Sequence, residues 1–119
     1  MPVENLRIEK YQYEFHTDVN NGVVRNVGLL YLYGRSHELL AAVAFLPGTD
    51  KLEKPTESPN GYVSAQMNID RMPLIIDTLR SERPVYFCWS PERESVRITT
   101  QYEPVGEQEL KRLFSFLYI

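Results

Sequence analysis

The stretch MNIDRMPLIIDTLRSERPVYFCW, residues 67–89, changes from a helical to a strand periodicity without an intervening loop. Apolar residues first recur at intervals of three and four, which places one stripe along a helix of about three turns; they are Met72, Ile75, Ile76 and Leu79. Asp70 is expected to cap the first turn, because its carboxylate can accept hydrogen bonds from backbone N–H groups there. Pro84 excludes Arg83 from helical geometry, so the helix is predicted to end near Glu82.

The residues after this helix follow a period of two. Val85, Phe87 and Trp89 alternate with more polar residues and predict a strand. A turn at residues 90–94 and a second alternating run at residues 95–102 predict a hairpin with one solvent-exposed face. The last stretch, EPVGEQELKRLFSFLYI (103–119), predicts a second helix with one apolar stripe, made of Leu110, Leu113, Phe114 and Leu117.

The N-terminal third predicts two long strands. Tyr11, Tyr13 and Phe15 alternate with polar residues, whereas Leu6 and Ile8 have the opposite parity. Either a bulge lies near residues 9 and 10, or the first part of this strand meets a different surface from the second. The pair Asn21–Gly22 tolerates positive φ and predicts a tight hairpin into residues 23–33, which become apolar on both faces.

The run ELLAAVAFL, residues 38–46, is apolar without a clear period. We interpret it as a strand, because the link before it is short and Pro47–Gly48 stops it at strand length; the alternative is a buried helix that begins at Ser36. Residues 47–60 are polar and contain Pro and Gly, and they predict a flexible loop. Residues 61–68 alternate and predict a fourth strand that runs into the helix.

The whole pattern predicts one α+β domain over residues 1–119, with the order ββββαββα. We expect a mainly antiparallel, curled sheet of about six strands with two helices packed on one face. Two short helices cover only one face of a sheet, yet the strands at 23–33 and 38–46 are apolar on both. The second face therefore has to be buried by curling of the sheet, by another copy of the chain or by a partner.

Composition excludes several classes of protein. The net charge of −3 is unfavourable for binding nucleic acid or anionic membranes, which requires clustered Lys and Arg. The single cysteine, Cys88, excludes an internal disulfide and a zinc site built from several thiolates. The sequence predicts neither a secretory leader nor a membrane span, because no apolar run has the required length. We expect a cytoplasmic protein without cofactor, metal, nucleic-acid or membrane partner.

Residues that could carry chemistry are few. His16, Asp18 and His37 lie beside predicted turns, where exposed polar residues are common, and nothing in their spacing requires them to meet. Cys88 lacks a neighbouring histidine or helix N-terminus that would lower its pKa, so we interpret it as a packed thiol. No phosphate-binding loop, serine elbow or calcium loop is present, and we assign no catalytic residue.

Two functions are compatible with this pattern. The first is a non-catalytic interaction or assembly module that self-associates or binds a protein partner through an apolar, tyrosine-rich sheet face; the candidate interface is Leu29, Tyr31, Tyr33, Leu39, Val43 and Phe45. The alternative is a small-ligand site, either purely binding or enzymatic, in a tyrosine-lined groove of a curled sheet, with the 47–60 loop as a lid; its candidate polar residues are His16, His37, Arg97 and Tyr102.

Overall fold

A computed structural model describes residues 4–100 of the chain. These residues form eight strands and one α-helix, which follow each other along the chain as β1 Glu4–Arg7, β2 Lys10–Asn20, β3 Val23–Tyr33, β4 Leu39–Leu46, β5 Thr56–Glu57, β6 Val63–Asn68, α1 Met72–Ser81, β7 Val85–Ser90 and β8 Ser95–Thr100. A short 3₁₀ turn, Ile69–Arg71, precedes α1.

The strands form two sheets rather than one. The larger has the order β2-β3-β4-β6-β5, and the smaller has the order β1-β7-β8. Strands account for 55% of the described residues, and α1 is short. The predicted six-stranded curled sheet with two helices is therefore wrong. The second predicted helix, near the C-terminus, lies outside the described residues.

The division into two sheets explains the parity change near the N-terminus. β1 pairs with β7 in the small sheet, whereas β2 pairs with β3 in the large one. Between them the backbone N–H of Ile8 donates to the carbonyl of Val85, and that of Glu9 donates to the carbonyl of Tyr33, both at 2.9 Å. One extended segment thus contributes β1 to the small sheet and β2 to the large sheet. The side of the segment that carries apolar residues changes between these two strands.

The central helix confirms the predicted end but not the predicted start. Asp70 is not the cap: Asn68 caps the preceding 3₁₀ turn, where its Oδ1 accepts a hydrogen bond from the N–H of Asp70 at 2.9 Å, and the N-cap residue of α1, Arg71, makes no side-chain capping hydrogen bond. The α-helix begins two residues later than Asp70 and ends before Glu82, whose N–H still donates to the carbonyl of Thr78. The alternating run after Pro84 forms β7 as predicted.

Residues 39–46 form a strand, as we interpreted them, and the buried helix is excluded. β4 pairs antiparallel with β3 but parallel with β6, so the predominantly antiparallel sheet contains one parallel pair. A parallel neighbour requires a crossover, and residues 47–62 provide it. Within this crossover β5 adds to the sheet edge beside β6, and the predicted flexibility of the segment stays a prediction.

The hydrophobic core lies between the two sheets and α1. We name the side of the large sheet that points into this core the inner face. Alternate residues of each strand lie on it, and its buried residues include Leu30, Leu32, Val43 and Phe45. Met72 and Ile76 from α1 and Phe87 from β7 complete this cluster. The opposite side of the large sheet is named the outer face.

Candidate functional site

The β2–β3 hairpin is longer than the layer that covers it. Each of its strands has 11 residues, which at about 3.4 Å per residue makes a ribbon roughly 37 Å long. α1 has 10 residues and extends only about 15 Å. The far end of the hairpin must therefore project beyond the core. Residues 15–27 form this projection, which we name the arm.

The layer that α1 forms over the inner face of the hairpin ends at Gly28. A Cβ atom built on Gly28 would lie 2.2 Å from the Sδ of Met72, so the absence of a side chain lets α1 approach the sheet there. Gly28 pairs with Phe45 on one side and with Phe15 on the other. Phe45 is fully buried, whereas the side chain of Phe15 is 67% exposed.

The inner face continues along the arm without cover. Every residue from 15 to 26 is exposed. Val19 and Val24 form a cross-strand pair on this face, with exposures of 66% and 60%. The rings of Tyr11, Tyr13 and Phe15 form a continuous ladder along β2, with ring centroids 6.4 and 5.6 Å apart. Apolar side chains thus extend from the core into solvent along one face.

The outer edge of β2 carries backbone groups that no described strand uses. β2 is the last strand of its sheet, so within residues 4–100 nothing pairs with this edge. Asn21 and Gly22 both have positive φ and make a two-residue turn, which fixes Asn20 and Val23 as a hydrogen-bonded pair. Even-numbered residues of β2 consequently bond to β3, and odd-numbered residues direct N–H and C=O outward.

Charged and polar groups cover the outer face of the hairpin. His16 Nε2 lies 2.8 Å from the Oε2 of Glu14, and Arg25 binds the carboxylate of Asp50 with an N–O distance of 2.5 Å. The arm thus has a mostly polar outer face and an inner face on which apolar residues lie on both sides of the hydrogen-bonded Thr17–Asn26 pair. The inner face of the arm has no covering layer from the described part of the chain.

The six residues of the predicted interface do not share a face. Val43 and Phe45 are buried on the inner face, inside the core. The other four are half-buried and belong to the outer side; they are Leu29, Tyr31, Tyr33 and Leu39. The crossover lies over part of that side, where the N–H of Glu53 donates to Gln66 Oε1 at 2.8 Å. The chain itself therefore covers part of the second apolar face.

The residues of the alternative ligand groove are not brought together. His16 lies on the arm, whereas His37 lies in the turn after β3, where Lys10 Nζ is 3.4 Å from its Nδ1. Lys10 and His16 are six residues apart along β2, a separation of about 20 Å. Arg97 is exposed on β8 of the other sheet, and Tyr102 lies outside the described residues.

The described residues contain two cavities of interest. One, of about 350 Å³, lies where the chain passes from β1 of the small sheet to β2 of the large sheet, and we name it the basal cavity; its lining includes Ile8, Tyr11, Leu79, Arg80, Arg83 and Val85. The other, of about 340 Å³, lies between the sheets and is mostly apolar, with Leu6, Phe87 and Trp89 in its wall. Neither gathers the histidines that the groove hypothesis requires.

Other site chemistry is sparse in the described range. Within residues 4–100 no three His, Cys, Asp or Glu side chains converge in a way that could hold a metal ion. The buried thiol of Cys88 donates to the side-chain oxygen of Asn5. No α-helix among these residues has the length and apolar character needed to cross a membrane.

No protein-family model, curated protein or solved structure matches this chain. The arm must therefore be interpreted from its own geometry.

The length of the hairpin is the one sequence signal that points to the arm. Two 11-residue strands joined by a two-residue turn are longer than any predicted covering element. Alternation alone did not assign Val19, Val23 and Val24 to a functional surface, although all three are exposed apolar side chains beside that turn.

Proposed function

We propose that this protein is a non-catalytic interaction module and that the arm is its binding element. The observation that carries the proposal is the set of exposed apolar side chains Phe15, Val19 and Val24 beside a strand edge, neither of which any residue from 4 to 100 covers or pairs with. Exposed apolar surface of this kind is characteristic of protein-binding sites. An unpaired edge adds backbone donors and acceptors that can recognise a further strand.

Two properties of the arm favour a protein over a small molecule. Its apolar row lies on a projecting ribbon rather than in a concave pocket, and small ligands bind mainly in concave sites. Its free backbone groups recur every second residue along β2, which matches the spacing of another extended chain. We include in this proposal the cytoplasmic location expected from the sequence.

Site-specific photocrosslinking tests the proposal. The photoreactive residue p-benzoylphenylalanine replaces Phe15 in the full chain, and cells producing it are irradiated. We expect one discrete protein adduct, whose second component is identified by mass spectrometry. The same adduct should be lost when Val19 and Val24 are both changed to Ser, because those changes remove the neighbouring apolar contacts.

The matched control places the same photoreactive residue at Leu74. Its side chain is 61% exposed, similar to Phe15, but it lies on α1 and not on the arm. We expect no specific adduct there. Equal labelling from both positions, or an adduct at position 15 that survives the double valine change, would contradict the proposal.

A further inference from the structure

We propose that the partner of the arm is a second copy of this chain, and that two β2 strands pair antiparallel about a two-fold axis at Phe15. This inference rests on the function proposed above and names the occupant of the same site. The pairing would join the two large sheets into one sheet of ten strands, with each β2 in its centre.

The backbone restricts the possible registers. A two-fold axis on an integer position keeps odd residues opposite odd ones, so that the apolar rows of both copies stay on one face. An axis at residue 15 makes the whole of β2, Lys10–Asn20, overlap with itself. Axes at other residues leave part of the strand unpaired. Phe15 then lies opposite Phe15 of the other copy. Its backbone N–H and C=O, which point away from β3, form the hydrogen bonds between the two copies.

Charge complementarity favours this register over the two adjacent ones. With the axis at Phe15, the carboxylate of Glu14 lies opposite the imidazole of His16 from the other copy, twice by symmetry. An axis at residue 14 would oppose Glu14 to itself, and an axis at residue 16 would oppose Glu14 to Asp18. Both alternatives bring like charges together, which destabilises a strand pair.

The basal cavity provides a third, independent argument. In the register centred on Phe15, Val19 of one copy lies directly opposite Tyr11 of the other, on the same face. Tyr11 lines the basal cavity together with Ile8 and Leu79. The exposed tip of each arm would thus be placed beside a cavity of about 350 Å³ at the base of its partner, whose wall combines these apolar side chains with charged ones.

This arrangement removes the feature that makes the arm unusual. Among the described residues of each monomer, one end of β2 has no covering layer and the other end has one. Antiparallel pairing places the uncovered end of one copy beside the covered end of the other. The apolar side chains of Val19 and Val24 would then approach the small sheet and α1 of the partner instead of solvent.

A cysteine scan of the full chain tests both the partner and the register. Single substitutions Tyr13→Cys, Phe15→Cys and Thr17→Cys are oxidised with diamide and resolved by mass spectrometry. Across the proposed axis the two Cα atoms of residue 15 would be about 5.5 Å apart, within the range of a disulfide. Those of residue 13 or 17 would be about 14 Å apart, which is too far.

We expect a disulfide-linked dimer from Phe15→Cys at a yield at least tenfold above that of the other two variants. The unmodified chain is the control, because Cys88 is buried. Dominant cross-linking at position 13 or 17 would overturn the register. No cross-link at any position, together with a monomeric native mass, would overturn the second copy as partner. In that case a photocrosslinked adduct with a different protein would still support the proposed function.

Discussion

The two ends of the β2–β3 hairpin share a sheet, a face and a strand alternation, but their environments differ completely. At the base, Leu30 and Leu32 are 0% exposed, because α1 and the small sheet cover them. On the arm, Val24 lies on the same face of the same strand and is 60% exposed. Strand patterning therefore specifies which face is apolar but not how far the cover over that face extends.

The strongest destabilisation is expected at the base. Leu30→Ala should lower the free energy of unfolding of the monomer by about 2–5 kcal/mol, because it leaves a cavity in the core. Urea denaturation at low protein concentration measures this loss.

The changes Val43→Ala and Val24→Ala form a matched pair, because each removes the two methyl groups of a valine on the inner face, one buried and one exposed. We expect about 2 kcal/mol for the buried valine and less than about 1 kcal/mol for the exposed one. Equal losses would show that the arm is covered within the monomer.

The next effect concerns the boundary between base and arm. Gly28→Ala should cost about 1–3 kcal/mol, because the new methyl group overlaps Met72 and α1 has to move. A double-mutant cycle with Met72→Ala checks the cause. The combined loss should be smaller than the sum of the two single losses, since removal of the methionine makes room for the methyl group. If the two losses of unfolding free energy simply add, the contact between residue 28 and Met72 does not determine where α1 stops covering the inner face.

A smaller effect should stay within the arm. Gly22→Ala places a side chain at φ +78°, a conformation that costs an L-residue about 1–2 kcal/mol. Because the arm makes few contacts with the core, we expect the arm to open locally rather than the protein to unfold. Hydrogen exchange should accelerate about tenfold for arm amides and remain unchanged at Leu30 and Leu32. Uniform acceleration would show that arm and base unfold as one unit.

The weakest effect concerns the charges along the arm. Glu14→Lys should weaken association by a few tenths to about 1 kcal/mol for each symmetric pair, because it replaces the carboxylate opposite the imidazole of His16 with an ammonium group. The double variant Glu14→Lys with His16→Glu restores opposite charges and should recover the affinity. Sedimentation equilibrium compares the three proteins. Failure of the double variant to recover would contradict the register centred on Phe15.

The sequence predicted the local elements better than their assembly. Periodicity correctly indicated α1 and β7. The strand at 39–46 was indicated instead by the short link before it and by Pro47–Gly48 after it. All of these signals lie within a few residues of the element that they predict. The separation into two sheets depends on which strands pair over long distances, and nothing near Leu6 or Ile8 specifies β7 as their neighbour. The parity change there indicated that a second surface could exist, but it did not identify that surface.

The candidate site was less predictable for the same reason. Leu29, Tyr31, Val43 and Phe45 are all apolar strand residues, and their sequence cannot say that two face the core and two face the crossover. Arm residues such as Val19 and Val24 resemble ordinary core valines in an alternating strand. Only the relative lengths of the hairpin and α1 reveal that nothing in the described chain covers them.

Sedimentation equilibrium of the full chain, with and without the change of Phe15 and Val19 to Ser, is the decisive measurement for association through the arm. We predict that the unmodified chain approaches the mass of two chains as its concentration rises. The double variant should keep the circular dichroism spectrum of a folded protein and the mass of one chain. A wild-type protein that remains a monomer up to high micromolar concentration, or a variant that dimerises as well as the wild type, would contradict pairing through β2.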